Sequence, residues 1–185
     1  LGELKQRLML YKLRSDVTIA EAPGGVVAVW GGALPEGVAA DPRLAGLGGR
    51  MAGDSATLIE SCVRQGLTPA DEGAYEAHRI ALGVPEGGKD MIPDKSFLLE
   101  FGIDTLKGID FAKGCYVGQE VTARTKYRGQ VKKLLYRVEA DRELPPAGTP
   151  IKLGDADAGE MRSHAGKTGL AILRTEMVEK AHTQD

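Results

Sequence analysis

KGCYVGQEVTARTKYRG, Lys113 to Gly129, sets a cysteine between a Lys-Gly pair and a Tyr-Val-Gly-Gln-Glu run, then continues as a basic, helix-like stretch. The chain holds only two cysteines in 185 residues, so the placement is informative. Gly114 and Gly118 remove side-chain bulk on both flanks and let a ligand or partner approach the backbone closely. From about Val117 to Lys126 only Gly118 interrupts the helical pattern, and Gly129 ends it. A helix beginning just after Cys115 turns unpaired N–H groups and the positive end of its dipole toward the sulfur. Lys113, Arg124 and Arg128 add positive potential, which favours the thiolate, the nucleophilic and metal-binding form. The competing reading makes Cys115 a small buried hydrophobe, as free cysteines commonly are.

Downstream of this stretch, Leu134, Tyr136, Val138 and Ala140 fall on one face of a strand, with Lys133, Arg137 and Glu139 on the other. Pro145-Pro146-Ala147-Gly148 is a turn, and Ile151–Leu153, Gly159–Arg162 and Leu170–Arg174 read as short strands. Such spacing suggests a small barrel. The polar tail after Val178 is expected to fray. Upstream, 103–111 reads as irregular, and 84–95 as a loop crossing the surface. Thr68-Pro69-Ala70-Asp71 signals a helix start, with Gly83 and Pro85 stopping that helix. Asp54 or Ser55 caps an earlier helix that reaches Arg64. A short strand is expected near Leu47–Ala52, inside a Gly-, Ala- and Pro-rich loop. Val17–Ala22 and Val26–Trp30 read as two strands joined across Pro23-Gly24-Gly25. Leu4, Leu8 and Tyr11 recur at helical spacing, so 1–14 reads as an amphipathic helix. Leu1 already lies inside that pattern, and a missing N-terminal portion is expected. The whole is an α+β chain.

Composition narrows the function classes. Hydrophobic content of 42% and charged content of 27% are ordinary for a globular protein. No run approaches the roughly 18 apolar residues of a membrane span. The formal net charge is −2, yet 113–137 carries seven cations against Glu120 alone, a local +6. Such a run is either a solvated face or the seat of an anionic ligand or partner. Two cysteines 53 positions apart form neither a CxxC pair nor a disulfide framework, which points to a reducing compartment. Cys62, in LIESCVRQ, lies beside Leu58 and Ile59 on a helix and reads as core. His78, His164 and His182 stand at no ligand spacing from a cysteine, so no metal is expected to be bound by this chain alone. A single thiolate at Cys115 is still able to ligate iron in a centre shared with a partner. For covalent catalysis, Glu120 and His78 are the only nearby bases.

The motif resembles the signature of the YgfZ-type folate-binding proteins, relatives of the T-protein, the aminomethyltransferase of the glycine cleavage system. KGCYVGQE at 113–120 carries the likeness. HRIALGVPEGGKD at 78–90, IPDKSFLLEF and KGIDFAKGCYVGQEVTART look most like the iron–sulfur-assembly branch, which includes the mitochondrial member. LGELKQRLMLYKLRSDVTI resembles the end of the family's first domain, and AGEMRSHAGKTGLAILR its C-terminal barrel. The resemblance implies an aminomethyltransferase-like fold of three domains around a channel that holds tetrahydrofolate. Its domains would be 1–22, a remnant of the first folate-binding domain; 23–127, a central α+β domain with the motif; and 128–185, a small β-barrel.

By the same resemblance, Cys115 is the functional cysteine and transient iron–sulfur ligand. Lys113, Gly114, Tyr116, Gly118, Gln119, Glu120, Arg124, Arg128 and Arg79 are the folate or partner contacts. The implied function is a tetrahydrofolate-binding accessory protein for assembly or repair of iron–sulfur clusters, especially four-iron clusters. Its partners would be folate and iron–sulfur carrier or client proteins, and it would be a monomer in the bacterial cytoplasm or the mitochondrial matrix. Two departures are visible: a segment the family carries before LGELKQ is absent, and Ala81 stands where T-protein relatives have an acid. Aminomethyl transfer is the alternative reading, and an RNA-binding module, from the basic run with Tyr116, Tyr127 and Tyr136, is the second. Arg79 and His78 also have a purely structural reading, as anchors of a helix end.

Overall fold

The computed structural model describes residues 1–115, 118–128 and 131–183; Tyr116, Val117, Gly129, Gln130, Gln184 and Asp185 lie outside it, as do the side chains of Gln119, Val121, Arg124, Thr125 and Arg128. Helix α1 (Gly2–Lys12) comes first. Strands β1 (Gly25–Val29), β2 (Ala39–Ala40) and β3 (Gly49–Gly53) form an antiparallel sheet in the order β1-β3-β2, with Val27 opposite Met51 and Ala39 opposite Arg50. Helix α2 (Ser55–Arg64) packs on β1 and β3. Helix α3 (Glu72–Ala81) follows, then a 3-10 turn (Leu98–Phe101) and helix α4 (Gln119–Arg128). Strands β4 (Lys133–Glu139), β5 (Pro150–Leu153), β6 (Ala156–Ala165) and β7 (Thr168–Arg174) make a barrel-like antiparallel sheet in the order β4-β7-β6-β5. Irregularities at Ile151/Lys152 and Met161/His164 shift its register and bend the strands that carry them. Helix α5 (Thr175–His182) closes the chain.

Capping explains where the two central helices begin. Asp54 accepts hydrogen bonds from the Thr57 amide at 2.9 Å and the Thr57 hydroxyl at 2.8 Å. Asp71 accepts from the Ala74 amide at 2.7 Å. In each case a carboxylate satisfies an amide of the first turn that has no intrahelical partner. The start signal at Thr68 is overridden, because Asp71 supplies the cap three residues later. Gly66 (φ 89°) and Gly83 (φ 72°) then take the left-handed backbone that ends each helix.

Four expectations are corrected. Val17–Ala22 is not a strand: β1 pairs with β3 instead of folding back on it. Pro23 holds φ near −65°, whereas tight two-residue hairpins need positive φ at their first turn position. Helix α1 forms but buries none of its residues, so Leu4, Leu8 and Tyr11 are exposed rather than packed. The loop at 84–95 does not simply cross the surface, because Val84 and Asp90 are buried. The tail does not fray at Val178, since α5 extends to His182.

The core is thickest where α3 lies on β6 and β7. Ile80 of α3 and Val84 just beyond it are buried, as are Met161, Leu170, Ala171 and Ile172 of the two strands. Each fully buried large aliphatic contributes about 1.5–3 kcal/mol, so this layer fixes α3 against the C-terminal sheet.

Candidate functional site: a cysteine loop beside an open cleft

Cys115 is exposed to solvent. Gly114 (φ 87°) and Gly118 (φ 85°) bracket it in the left-handed region, and a Cβ at either would meet no atom within 4 Å. The glycines therefore serve backbone conformation and open access here. Lys113 is exposed in the same loop, and Glu120 sits in the first turn of α4. The Gly118 carbonyl accepts from the Thr122 amide at 3.3 Å and its hydroxyl at 3.2 Å, which ties the loop to the helix start. Tyr116 and the side chains of Gln119, Arg124 and Arg128 lie outside the described residues.

Both ends of the loop are anchored. The Asp110 carboxylate accepts from the Ala112 amide at 2.8 Å. Phe111 packs edge-on against Tyr127 of α4 with ring centres 6.1 Å apart, and Lys126 Nζ sits 4.3 Å above the Phe111 ring. Lys126 also pairs with Asp104 at 2.9 Å. Burial works to raise the Asp104 carboxyl, but the Lys126 hydrogen bond and charge outweigh it and hold the group below the usual carboxylate range. Cys62 is the opposite case: it is 6% exposed on α2, with Sγ 3.9 Å from Met51 Sδ.

Arg79 faces inward. Its five N–H donors meet five acceptors: both Glu76 oxygens at 2.9 and 2.7 Å, the Val84 carbonyl at 3.1 Å, Asp90 Oδ2 at 2.8 Å and Ser163 Oγ at 3.0 Å. Guanidinium has no further donor to offer. Asp90, fully buried, accepts in addition from the Glu86 amide at 2.8 Å and the Ser163 amide at 3.0 Å. The node thus ties α3, the 84–90 loop and β6 together, and the structure gives Arg79 the anchoring role.

A cleft of about 1140 Å³ opens between the β1–α2 layer and α3. Val27, Val29, Trp30, Arg43, Arg50 and Tyr75 are among its lining residues; Lys113, Gly114, Cys115, Gly118 and Glu120 are not. The expected contacts therefore separate into two places. His78 stacks on Trp30 at 5.5 Å and bonds the Gly46 carbonyl at 2.9 Å, while Tyr75 meets Trp30 edge-on at 5.6 Å. Arg50 donates to the Tyr75 hydroxyl at 3.0 Å and pairs with Asp41 at 3.0 Å; Arg43 pairs with Asp41 at 2.8 Å. The hydrogen bond from Arg43 holds the Asp41 carboxyl below the usual range against its burial. Two guanidiniums share one carboxylate, so this edge of the cleft keeps a net positive charge. Sequence reasoning missed it; the charged Asp41-Pro42-Arg43 triplet within an otherwise Gly- and Ala-rich loop was the available signal.

Among the described residues no group of three or more His, Cys, Asp or Glu is placed to hold a metal ion, and no helix is long and apolar enough to cross a membrane. Residues 132–184 match the family described as CAF17, C-terminal beta-barrel domain. The chain is 34% identical over 199 residues to the human protein named "Iron-sulfur cluster assembly factor IBA57, mitochondrial", covering 96% of this chain and 55% of the relative. It is 33% identical over 179 residues to the homologue from Mycosarcoma maydis, covering 92% of this chain and 43% of the relative. With the homologue from Neurospora crassa it shares 41% identity over 113 residues, covering 58% of this chain and 25% of the relative. The chain is thus similar to the IBA57 proteins along nearly all of its own length, and it spans about half the length of the curated relatives it matches.

Proposed function

We propose that this chain is the thiol-bearing portion of a tetrahydrofolate-binding factor that assembles or repairs iron–sulfur clusters in client enzymes, four-iron clusters above all. The observation that carries the reading is the exposure of Cys115 on a glycine-flanked, anchored loop, in a chain similar to assembly factors. A thiolate so placed is able to ligate cluster iron transiently or to engage a carrier. The test is Cys115→Ala in the full-length protein. Support of four-iron enzymes is expected to be lost with the thermal midpoint unchanged, and undiminished support overturns the reading.

Folate fits the cleft by the chemistry of its lining. Trp30 and Tyr75 are aromatic lining residues. Arg43 and Arg50 together outweigh the Asp41 carboxylate they share, which leaves charge for a carboxylate tail at that edge, away from the lining acids Asp71, Glu72, Glu76 and Glu86. Bound there, tetrahydrofolate supplies a one-carbon carrier or a structural ligand. Arg79 also lines the cleft, and with its five donors already engaged it would act on the ligand chiefly by holding α3. The overall fold is proposed as aminomethyltransferase-like, with domain limits at 22/23 and 127/128 and the YgfZ-type proteins as kin. In a eukaryote the protein would work in the mitochondrial matrix, a reading supported by the word mitochondrial in the relatives' names, and in a bacterium in the cytoplasm. Aminomethyl transfer draws no support from Ala81, an exposed methyl side chain where the alternative needs a carboxylate.

A further inference from the structure

The loop that carries Cys115 is not fixed by burial. Ala112, Lys113, Gly114 and Cys115 are all exposed, and a Cβ on Gly114 or Gly118 would touch nothing. Two glycines at positive φ also give this backbone many conformations to lose. Restraint is found at the stem, where the chain enters the loop and where α4 leaves it. One ammonium joins the pieces of that stem. Lys126 Nζ, on α4, lies 2.9 Å from Asp104 Oδ2 and 4.3 Å from the centre of the Phe111 ring. Asp104 belongs to a tight turn: the Gly108 amide donates to the Ile103 carbonyl at 2.7 Å, and the Thr105 hydroxyl to the Gly102 carbonyl at 2.7 Å. That turn continues the 3-10 turn whose Leu99 and Phe101 are buried. Phe111 stands on the incoming side, within the Asp110–Ala112 hydrogen bond, and its ring also meets Tyr127 of α4. A single cation thus ties the incoming chain, the outgoing helix and a turn rooted in the core.

We propose that Asp104, Lys126 and Phe111 are positioning residues for Cys115: the Lys126 ammonium, held by the Asp104 carboxylate over the Phe111 ring, closes the stem and sets the thiol in place ahead of α4. The inference rests on the reading of Cys115 as the working thiol and adds what holds that thiol ready. None of the three needs to touch iron, folate or a carrier. A partly exposed ion pair and a cation–π contact each shift an equilibrium only a few-fold. Together they bias a glycine-bearing loop, and with 38% of the Lys126 side chain exposed they yield to salt.

A nitroxide attached to the Cys115 sulfur of the 185-residue chain reads the stem directly. Cys62 is buried and shielded from the label, and Cys115→Ala gives the blank. At low salt the unsubstituted chain is expected to give a mainly slow spectrum. Asp104→Asn should raise the mobile fraction about fivefold, as should Lys126→Met, which keeps an apolar side chain without the charge. Thermal midpoints should move little. Lys126→Arg should stay slow, because a guanidinium both pairs with a carboxylate and stacks on a ring. At about 1 M salt, where the Debye length falls to about 3 Å, the unsubstituted chain should loosen while Asp104→Asn does not change. An Asp104→Asn label as slow as the unsubstituted one, or an equal response of both to salt, overturns the positioning role and leaves the Cys115 reading standing. In the full-length protein, Asp104→Asn should lower support of four-iron enzymes and Lys126→Arg should keep it; full support from a loosened loop also overturns the role. Undiminished support by Cys115→Ala overturns both readings.

Discussion

The Arg79 guanidinium and the Asp90 carboxylate meet at 2.8 Å with 2% and 0% of their side chains exposed. Charges so deep are tolerable only because each is fully partnered. Arg79→Ala should therefore cost about 3–5 kcal/mol, since it leaves Asp90 buried and uncompensated. Replacing both by apolar residues, Arg79→Met with Asp90→Leu, should cost less than the single change. Urea unfolding of the three proteins checks the order, and a double variant weaker than the single one contradicts the account.

Acid sensitivity follows from Glu76. The hydrogen bond from Arg79, helped by Lys89 and opposed by burial, lowers its carboxyl from 4.5 to about 2. The unfolded chain holds this proton at higher pH than the folded one. The contribution is thus complete above about pH 4.5 and disappears as pH falls toward 2. Glu76→Gln should flatten the urea midpoint over that window and lower it at pH 7; an unchanged acid limb refutes the assignment.

Gly159 stands at φ 152° on β6, where a Cβ would run into the Ile172 carbonyl oxygen and Leu173 Cα of β7. No rotamer relieves a clash with backbone. Gly159→Ala should destabilise by at least about 1–3 kcal/mol, seen in thermal unfolding, whereas Gly114→Ala, with nothing nearby, should bear only the strain of its positive φ.

Under the folate reading, Trp30 is a built-in reporter, being the single tryptophan of the chain. Titrating the 185-residue chain with 5-formyltetrahydrofolate should quench its emission. Paired removal of Arg43 and Arg50 should weaken that binding by about tenfold or more, as expected when charge-assisted bonds are lost. Unaltered emission at saturating ligand removes the cleft as the site.

Much of this was legible in the chain because it is local. Asp54 and Asp71 act within three residues, and Gly66 and Gly83 end their helices by their own backbone freedom. The strands after Leu134 announced themselves by turn residues between short apolar runs. What stayed hidden depended on distant partners. Nothing near Arg79 says that Ser163 will meet it 84 positions later. Nor does Val17–Ala22 reveal that β1 takes its neighbour from Gly49–Gly53. The cysteine motif was visible by its composition, while the Asp41–Arg43–Arg50 edge of the cleft needed the sheet and α3 to assemble before its charges adjoined.

The contrast between the two sulfurs has a practical side. With Cys62 shielded behind Met51 and Cys115 in water, a maleimide dye or nitroxide tag should attach at one position in the native molecule without prior mutagenesis. Spectroscopy from that tag would then follow the loop in real time while folate or a carrier is added.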